Sequence, residues 1–145
     1  VEVVGGVNKL VRIKPDLSLE KVEMGSNYYP SSFSAYSEAM FCGTGRDNNF
    51  YYGSGGSIYK ISFEEPIPAG PFAKLPDGYP EYTLYGAGFR VNPENGEVVA
   101  VFIDNTDTTT RNKNILARFD GTDGHLIEML SYDGYWFPAT IIFNN

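Results

Sequence analysis

The sequence has few of the residues that carry catalytic or metal-binding chemistry. Its 145 residues include one cysteine, Cys42, and one histidine, His125. A single cysteine excludes an internal disulfide framework and leaves the redox compartment open. A catalytic triad or a zinc site would depend on His125, which follows a glycine-containing turn at the start of a predicted strand. No catalytic residue is therefore assigned, and we expect a protein that is not an enzyme and needs no cofactor.

Positive charge is also scarce. Lys and Arg number 11 against 18 Asp and Glu, which gives a formal net charge of −7. An acidic surface repels phosphate backbones, so nucleic acid is not an expected partner. No basic stripe points to an anionic membrane surface, and no run is long and apolar enough to predict a transmembrane segment.

Aromatic and turn-forming residues are plentiful. The chain has 11 Tyr, 10 Phe, 16 Gly and 9 Pro, a composition typical of short strands joined by tight turns. No window of helical length keeps a 3.6-residue apolar period without a Gly or Pro that breaks it. These patterns predict an all-β fold.

An internal repeat organises these strands. Residues 3–5 (Val-Val-Gly) and 10–13 (Leu-Val-Arg-Ile) recur 48 positions later as 51–53 (Tyr-Tyr-Gly) and 58–61 (Ile-Tyr-Lys-Ile). A third copy, Leu-Ala-Arg-Phe, occupies 116–119 after a longer connecting loop. Aromatic–proline pairs also recur, at Tyr29-Pro30, Tyr79-Pro80 and Phe137-Pro138. These recurrences indicate a repeated unit of about fifty residues.

The pattern of each unit predicts four antiparallel strands, a to d. Four such strands in a repeated unit are typical of a β-propeller blade. Strand a follows the aromatic–proline pair, and the other strands are predicted at 50–52 or 98–102 (b), 57–63 or 115–120 (c), and near 72–75 or 125–130 (d). The chain is expected to be a single β-propeller segment of about three blades: 30–79, 80–137, and a composite of 1–29 with 138–145. A β-sandwich built from the same hairpins is the alternative fold.

The number of units sets an expectation about size. Closed propellers typically need 4–8 blades, so this chain forms a partial or open ring. We expect either the C-terminal part of a longer ring or an assembly of several chains. The sequence begins at Val1 inside a strand-like run, which suggests a mature or excised segment.

Two segments carry a resemblance to known propellers. Residues 51–61 (YYGSGGSIYKI) resemble the strand–turn–strand motif of YVTN-type and surface-layer-like propellers. Residues 135–139 (YWFPA) resemble the closing segment of a family of exported propellers from gut anaerobes, mostly of unknown function, whose relatives include surface lipoproteins that capture cobalamin. The resemblance implies a non-enzymatic, ligand-binding or interaction protein, exported to the periplasm or outer surface of a bacterium.

Strand direction places candidate ligand-binding residues together. In a four-stranded blade, the d–a and b–c connections lie at one end of the sheet. That end holds aromatic and polar residues suited to a sugar ring, a macrocycle or an anionic group: Tyr28, Tyr29, Tyr79, Tyr135, Trp136, Arg111 and Ser54. The alternative interpretation is that the aromatic residues wedge between neighbouring blades. Expected partners are a small molecule, a glycan or a surface protein.

The long b–c insertion contains weak candidates for a metal ion. Asp104 and Asp107 offer oxygen ligands that a hard cation such as calcium could use, although Asp, Asn and Thr are also ordinary turn residues. Two alternatives to the binding module stay open. One is a metal-dependent propeller hydrolase or lyase, and the other is a purely structural repeat segment.

Overall fold

The computed structural model describes residues 2–4, 7–23, 41–42, 48–54, 56–79, 82–104, 113–133 and 141–143, and all regular structure within these ranges is β-strand. The strands are β1 (Glu2–Val4), β2 (Val7–Ile13), β3 (Leu19–Glu23), β4 (Phe41–Cys42), β5 (Asn49–Ser54), β6 (Ser57–Ser62), β7 (Ala73–Lys74), β8 (Tyr82–Val91), β9 (Val98–Asp104), β10 (Lys113–Phe119) and β11 (Leu126–Asp133). These ranges contain no helix that could cross a membrane.

The described strands form three antiparallel sheets, each a meander in chain order. The first sheet is β1-β2-β3, the middle sheet β4-β5-β6-β7 and the third sheet β8-β9-β10-β11. The predicted b and c strands appear in place, but β7 is only two residues long and β11 continues to Asp133. The all-β prediction and the four-stranded unit are confirmed.

The middle sheet buries both of its faces. Successive side chains on a strand point to opposite faces, so Tyr51 faces one way and Tyr52 the other, and each is 1% exposed. Tyr51 joins Ile58 and Ala73 in the core shared with the third sheet. Tyr52 belongs to a second cluster on the opposite face. A sheet that is apolar on both faces needs a neighbour on each side.

The third sheet covers one face of the middle sheet. Alternate residues of β9 and β10 point into the shared core, where the rings of Phe102 and Phe119 meet edge to face at 6.2 Å. The backbone of Gly53 in β5 lies directly against Leu84 in β8: a Cβ added to Gly53 would lie 2.0 Å from Leu84 Cδ2. The absence of a side chain at residue 53 therefore permits the close approach of the two sheets.

The first sheet covers the other face. Val22 of β3 packs against the cluster formed by Tyr52, Ile61 and Phe63. The Arg12 guanidinium lies 4.5 Å from the centroid of the Phe63 ring, a cation–π contact. The three sheets are thus stacked in chain order, as in an open run of propeller blades, whereas a β-sandwich has two packed sheets.

The predicted blade boundaries can be compared with the observed sheets only where the structure describes the residues. The middle sheet lies inside 30–79 and the third inside 80–137. The first sheet shows three strands, and residues 141–143 of the composite blade are not assigned to a strand. The joining of 138–145 to this sheet, and the blade boundaries themselves, stay predictions.

We expect Gly53→Ala to lower the free energy of unfolding by about 1–3 kcal/mol, because the new methyl group overpacks a buried site. In a Leu84→Ala background the same change should cost clearly less, because the clashing atoms are gone. Gly70→Ala is the matched control, since a Cβ there meets nothing within 4 Å. Urea denaturation of the four variants measures the coupling, and additive effects would contradict the close packing described.

Candidate functional site

The two ends of the stacked sheets carry different connections. Near the β5–β6 turn, a Cβ added to Gly56 would lie 3.0 Å from the carbonyl oxygen of Tyr82, the first residue of β8. At the opposite end, a Cβ added to Gly121 would lie 2.2 Å from the carbonyl oxygen of Gly96, so the β10–β11 and β8–β9 turns touch. We call the end of the sheets at the β5–β6 turn the loop end, and the end at the β8–β9 and β10–β11 turns the turn end. The b–c and d–a connections meet at the loop end, as strand direction predicted.

Tyr79 lies at the loop end beside a second tyrosine. Its ring centroid is 5.6 Å from that of Tyr82, at an interplanar angle of 74°. The Tyr79 amide donates to the Pro76 carbonyl at 3.2 Å, and the Tyr82 amide donates to the Tyr79 carbonyl at 3.3 Å. Both rings pack against the core shared by the middle and third sheets and are only partly buried. The pair therefore serves packing and also presents aromatic surface.

Two other predicted residues lie at this end. Ser54 is the last residue of β5, paired with Ser57 across the turn that contains Gly56. Asp104 is the last residue of β9, is paired with Tyr82, and is 5% exposed. The structure thus brings Tyr79, Ser54 and Asp104 to the same end of the sheets.

Two residues at the loop end were missed by the sequence analysis. Tyr82 was not chosen because only its pairing with Asp104 reveals its position. Asn114, the second residue of β10, is 1% exposed. The sequence signal for Asn114 is weak, since an asparagine after a polar insertion is an ordinary loop residue. The remaining predicted site residues lie outside the described residues: Tyr28, Tyr29, Arg111, Asp107, Tyr135 and Trp136.

The turn end holds a separate group of titratable residues, Asp120, Asp123 and His125. Their potential ligand atoms all lie within 4.8 Å of one another. Asp123 Oδ1 accepts a hydrogen bond from the His125 amide at 3.0 Å and lies 2.7 Å from His125 Nδ1. Asp120 Oδ1 accepts from the Thr122 amide at 2.7 Å. These contacts shape the connection between β10 and β11.

The same contacts shift two pKa values. The hydrogen bond to Asp123, aided by its charge, raises the pKa of His125 above its ordinary value. The hydrogen bonds from the backbone and ring of His125 lower the pKa of Asp123. Both groups are exposed, so solvent screens the pair and its effect on stability is small.

Comparison with known protein families identifies the family of this chain. The sequence matches the family described as a domain of unknown function, DUF5074, over residues 3–144. The chain belongs to the DUF5074 family. A search among curated proteins finds no match.

A solved structure supports the fold of this DUF5074 chain. This chain is similar to the solved structure of a quinoprotein alcohol dehydrogenase-like protein from Bacteroides thetaiotaomicron, with a TM-score of 0.61 and 19% sequence identity. The match covers 86% of this chain and 28% of that protein. At this identity the likeness shows a propeller-like fold and nothing about activity. The resemblance to propellers of gut anaerobes is supported at this level.

His125 gives a direct test of the turn-end geometry. As the only histidine, it yields a single imidazole signal in an NMR titration. We expect an apparent pKa above the about 6.5 of a free imidazole, and Asp123→Asn should lower it toward that value. Because folding raises the pKa of His125, its stabilising contribution is complete below about pH 6.5 and is lost as pH rises through the folded-state pKa.

Asp77→Asn is the matched control, because Asp77 is an exposed aspartate that pairs with Lys74. It should leave the titration of His125 unchanged. An equal response to both substitutions would show that general charge, and not the 2.7 Å contact, sets the pKa of His125.

Proposed function

We propose that this DUF5074 chain is a non-enzymatic ligand-binding or interaction module of an exported bacterial propeller protein, located in the periplasm or on the outer cell surface. One observation carries the proposal. The loop end brings an aromatic pair, Tyr79 and Tyr82, beside a glycine turn at Gly56 and the buried carboxylate of Asp104.

This combination suits recognition of a flat, mostly neutral molecule. Ligand sites typically join apolar walls to a few placed polar groups. The partly buried rings of Tyr79 and Tyr82 supply apolar surface, and the pairing of Asp104 with Tyr82 places an acidic residue beside them. Sugar rings and macrocycles stack on tyrosine faces while their polar edges take hydrogen bonds. We therefore propose a glycan or a macrocyclic small molecule as ligand.

Charge narrows the ligand class further. The chain carries a net charge of −7, which disfavours polyanions such as nucleic acid. Asp104, an acidic residue at the loop end, also disfavours anionic ligands. Neutral and cationic ligands are therefore favoured over strongly anionic ones.

A purely structural role is the second candidate, and one observation favours it. Tyr79 and Tyr82 pack against the core cluster shared by the middle and third sheets, as residues that wedge neighbouring blades together would. The two roles differ in what the Tyr79 side chain controls. A structural residue affects stability alone, whereas a ligand-contacting residue also affects affinity.

Isothermal titration with cyanocobalamin and with a panel of neutral oligosaccharides separates the two roles. We expect saturable binding of at least one probe, and Tyr79→Ala should weaken it about tenfold or more, which is about 1.4 kcal/mol. Asp104→Asn, which keeps the shape of the side chain, should weaken binding of any ligand that donates hydrogen bonds to the carboxylate.

Ile67→Ala is the matched control for these variants. Ile67 is an apolar residue, 54% exposed, in the β6–β7 connection away from the loop end. It should leave both affinity and melting temperature unchanged. A Tyr79→Ala protein that melts earlier yet binds as tightly as the parent would support the structural role and contradict the proposed site.

A further inference from the structure

The β8–β9 turn at the turn end contains an asparagine followed directly by a glycine. Asn95 and Gly96 lie between the two strands, and Asn95 is exposed. Asn95 is the only asparagine of the sequence that precedes a glycine. Because glycine has no side chain, its amide nitrogen is the least hindered backbone nucleophile that an asparagine side chain can meet.

The side chain of Asn95 folds back over that amide. Its Oδ1 accepts a hydrogen bond from the Glu97 amide at 3.0 Å. This bond closes a ring that includes the Gly96 nitrogen, so Asn95 Cγ is held on the same side of the chain as this nitrogen. Attack on Cγ would move negative charge onto Oδ1, where the Glu97 amide already donates. The electrophile, the nucleophile and a stabilising donor thus belong to three consecutive residues.

The same turn contains a second asparagine that lacks the nucleophile. Asn92 Oδ1 accepts a hydrogen bond from the Glu94 amide at 2.9 Å, as Asn95 Oδ1 does from the Glu97 amide. The residue after Asn92 is Pro93, whose nitrogen carries no hydrogen. Asn92 therefore matches Asn95 in side chain and donor, but no backbone amide can attack it.

The neighbouring β10–β11 turn lacks the electrophile. Asp120 and Asp123 accept hydrogen bonds from the amides of Thr122 and His125, and each aspartate precedes a glycine. These backbone hydrogen bonds lower the pKa of both carboxyl groups, so both are ionised at neutral pH. A carboxylate resists nucleophilic attack because it already carries negative charge. Among these turns, Asn95 alone combines a neutral amide with a glycine nitrogen.

We propose that Asn95 is a site of spontaneous deamidation in the folded protein, with the Gly96 nitrogen as nucleophile. This nitrogen loses its proton and bonds to Asn95 Cγ, while the bond from Cγ to the side-chain nitrogen breaks and ammonia leaves. One water molecule then opens the cyclic imide. Cleavage between Cγ and the Gly96 nitrogen yields aspartate. Cleavage between the backbone carbonyl carbon and that nitrogen yields isoaspartate, in which the chain runs through the former side chain.

One hydrogen bond opposes the reaction. The Gly96 amide donates to the Asn92 carbonyl at 2.9 Å, and this bond must open before the nitrogen can attack. The turn lies at the surface, and Pro93, Glu94 and Asn95 are all exposed. Local opening of exposed turns costs much less free energy than global unfolding. The reaction therefore proceeds from the folded protein while the turn is briefly open.

The two products should differ in stability. The carbonyl group of Gly96 packs against Gly121, since a Cβ added to Gly121 would lie 2.2 Å from the Gly96 oxygen. Isoaspartate inserts one more backbone atom directly before Gly96, so the turn cannot keep both its hydrogen bonds and this contact. Aspartate adds a charge beside Glu94 and Glu97 and leaves the backbone length unchanged. The inference concerns the turn end and is independent of any ligand at the loop end.

Incubation of the folded protein for days in mildly alkaline buffer, followed by peptide mass mapping, tests the proposal. A more acidic species should accumulate, with aspartate and isoaspartate both at residue 95. Asn92 should convert at least about tenfold more slowly, because it has no positioned nucleophile. Asn95→Gln should abolish the species, since its longer side chain would have to close a larger ring. The isolated isoaspartate form should melt at a lower temperature than Asn95→Asp, which supplies the aspartate form directly.

Four outcomes would overturn parts of this inference. Equal conversion of Asn92 and Asn95, or aspartate formed without isoaspartate, would show attack by water and not by the Gly96 nitrogen. A folded protein that keeps Asn95 intact, while the urea-unfolded chain converts it, would show that the turn protects this residue. An isoaspartate form that melts together with Asn95→Asp would contradict the stated role of the contact between Gly96 and Gly121.

Discussion

The middle sheet must bury both of its faces, and the arrangement of the other strands depends on this constraint. Tyr51 and Tyr52 are adjacent on β5, point in opposite directions, and are each almost fully buried. One covering layer would leave one of these side chains in water. Sheets on both sides remove both side chains from solvent, and burial of apolar side chains is the main favourable term in folding.

This stacking also explains the local features at the sheet contacts. Gly53 allows β8 to approach β5 closely, because no side chain occupies the space taken by Leu84. The Arg12 guanidinium lies over the ring of Phe63 and makes a cation–π contact between the first and middle sheets. The interface between sheets is thus built from a small residue, aromatic rings and long basic side chains at repeated positions.

The loop end follows from strand direction once the sheets are stacked. Tyr79 and Ser54 were chosen from the sequence because the b–c and d–a connections of a four-stranded unit share one end, and Asp104 was chosen as a weak metal candidate in the b–c insertion. The structure places all three residues at that end. Tyr82 and Asn114 could not be chosen in this way. Their positions depend on which residues pair across β8, β9 and β10, and the sequence pattern does not set that register.

The sequence by itself determined the all-β fold, the repeated unit and the order of its strands. These features depend on local chemistry, namely side chains that alternate at a period of two and turns rich in glycine and proline. Only the tertiary structure decided which faces are covered. Ile13 and Ile61 occupy the same repeat position on similar strands, yet one is exposed and the other buried. The difference arises because burial depends on which sheet lies opposite, and no local pattern encodes that neighbour.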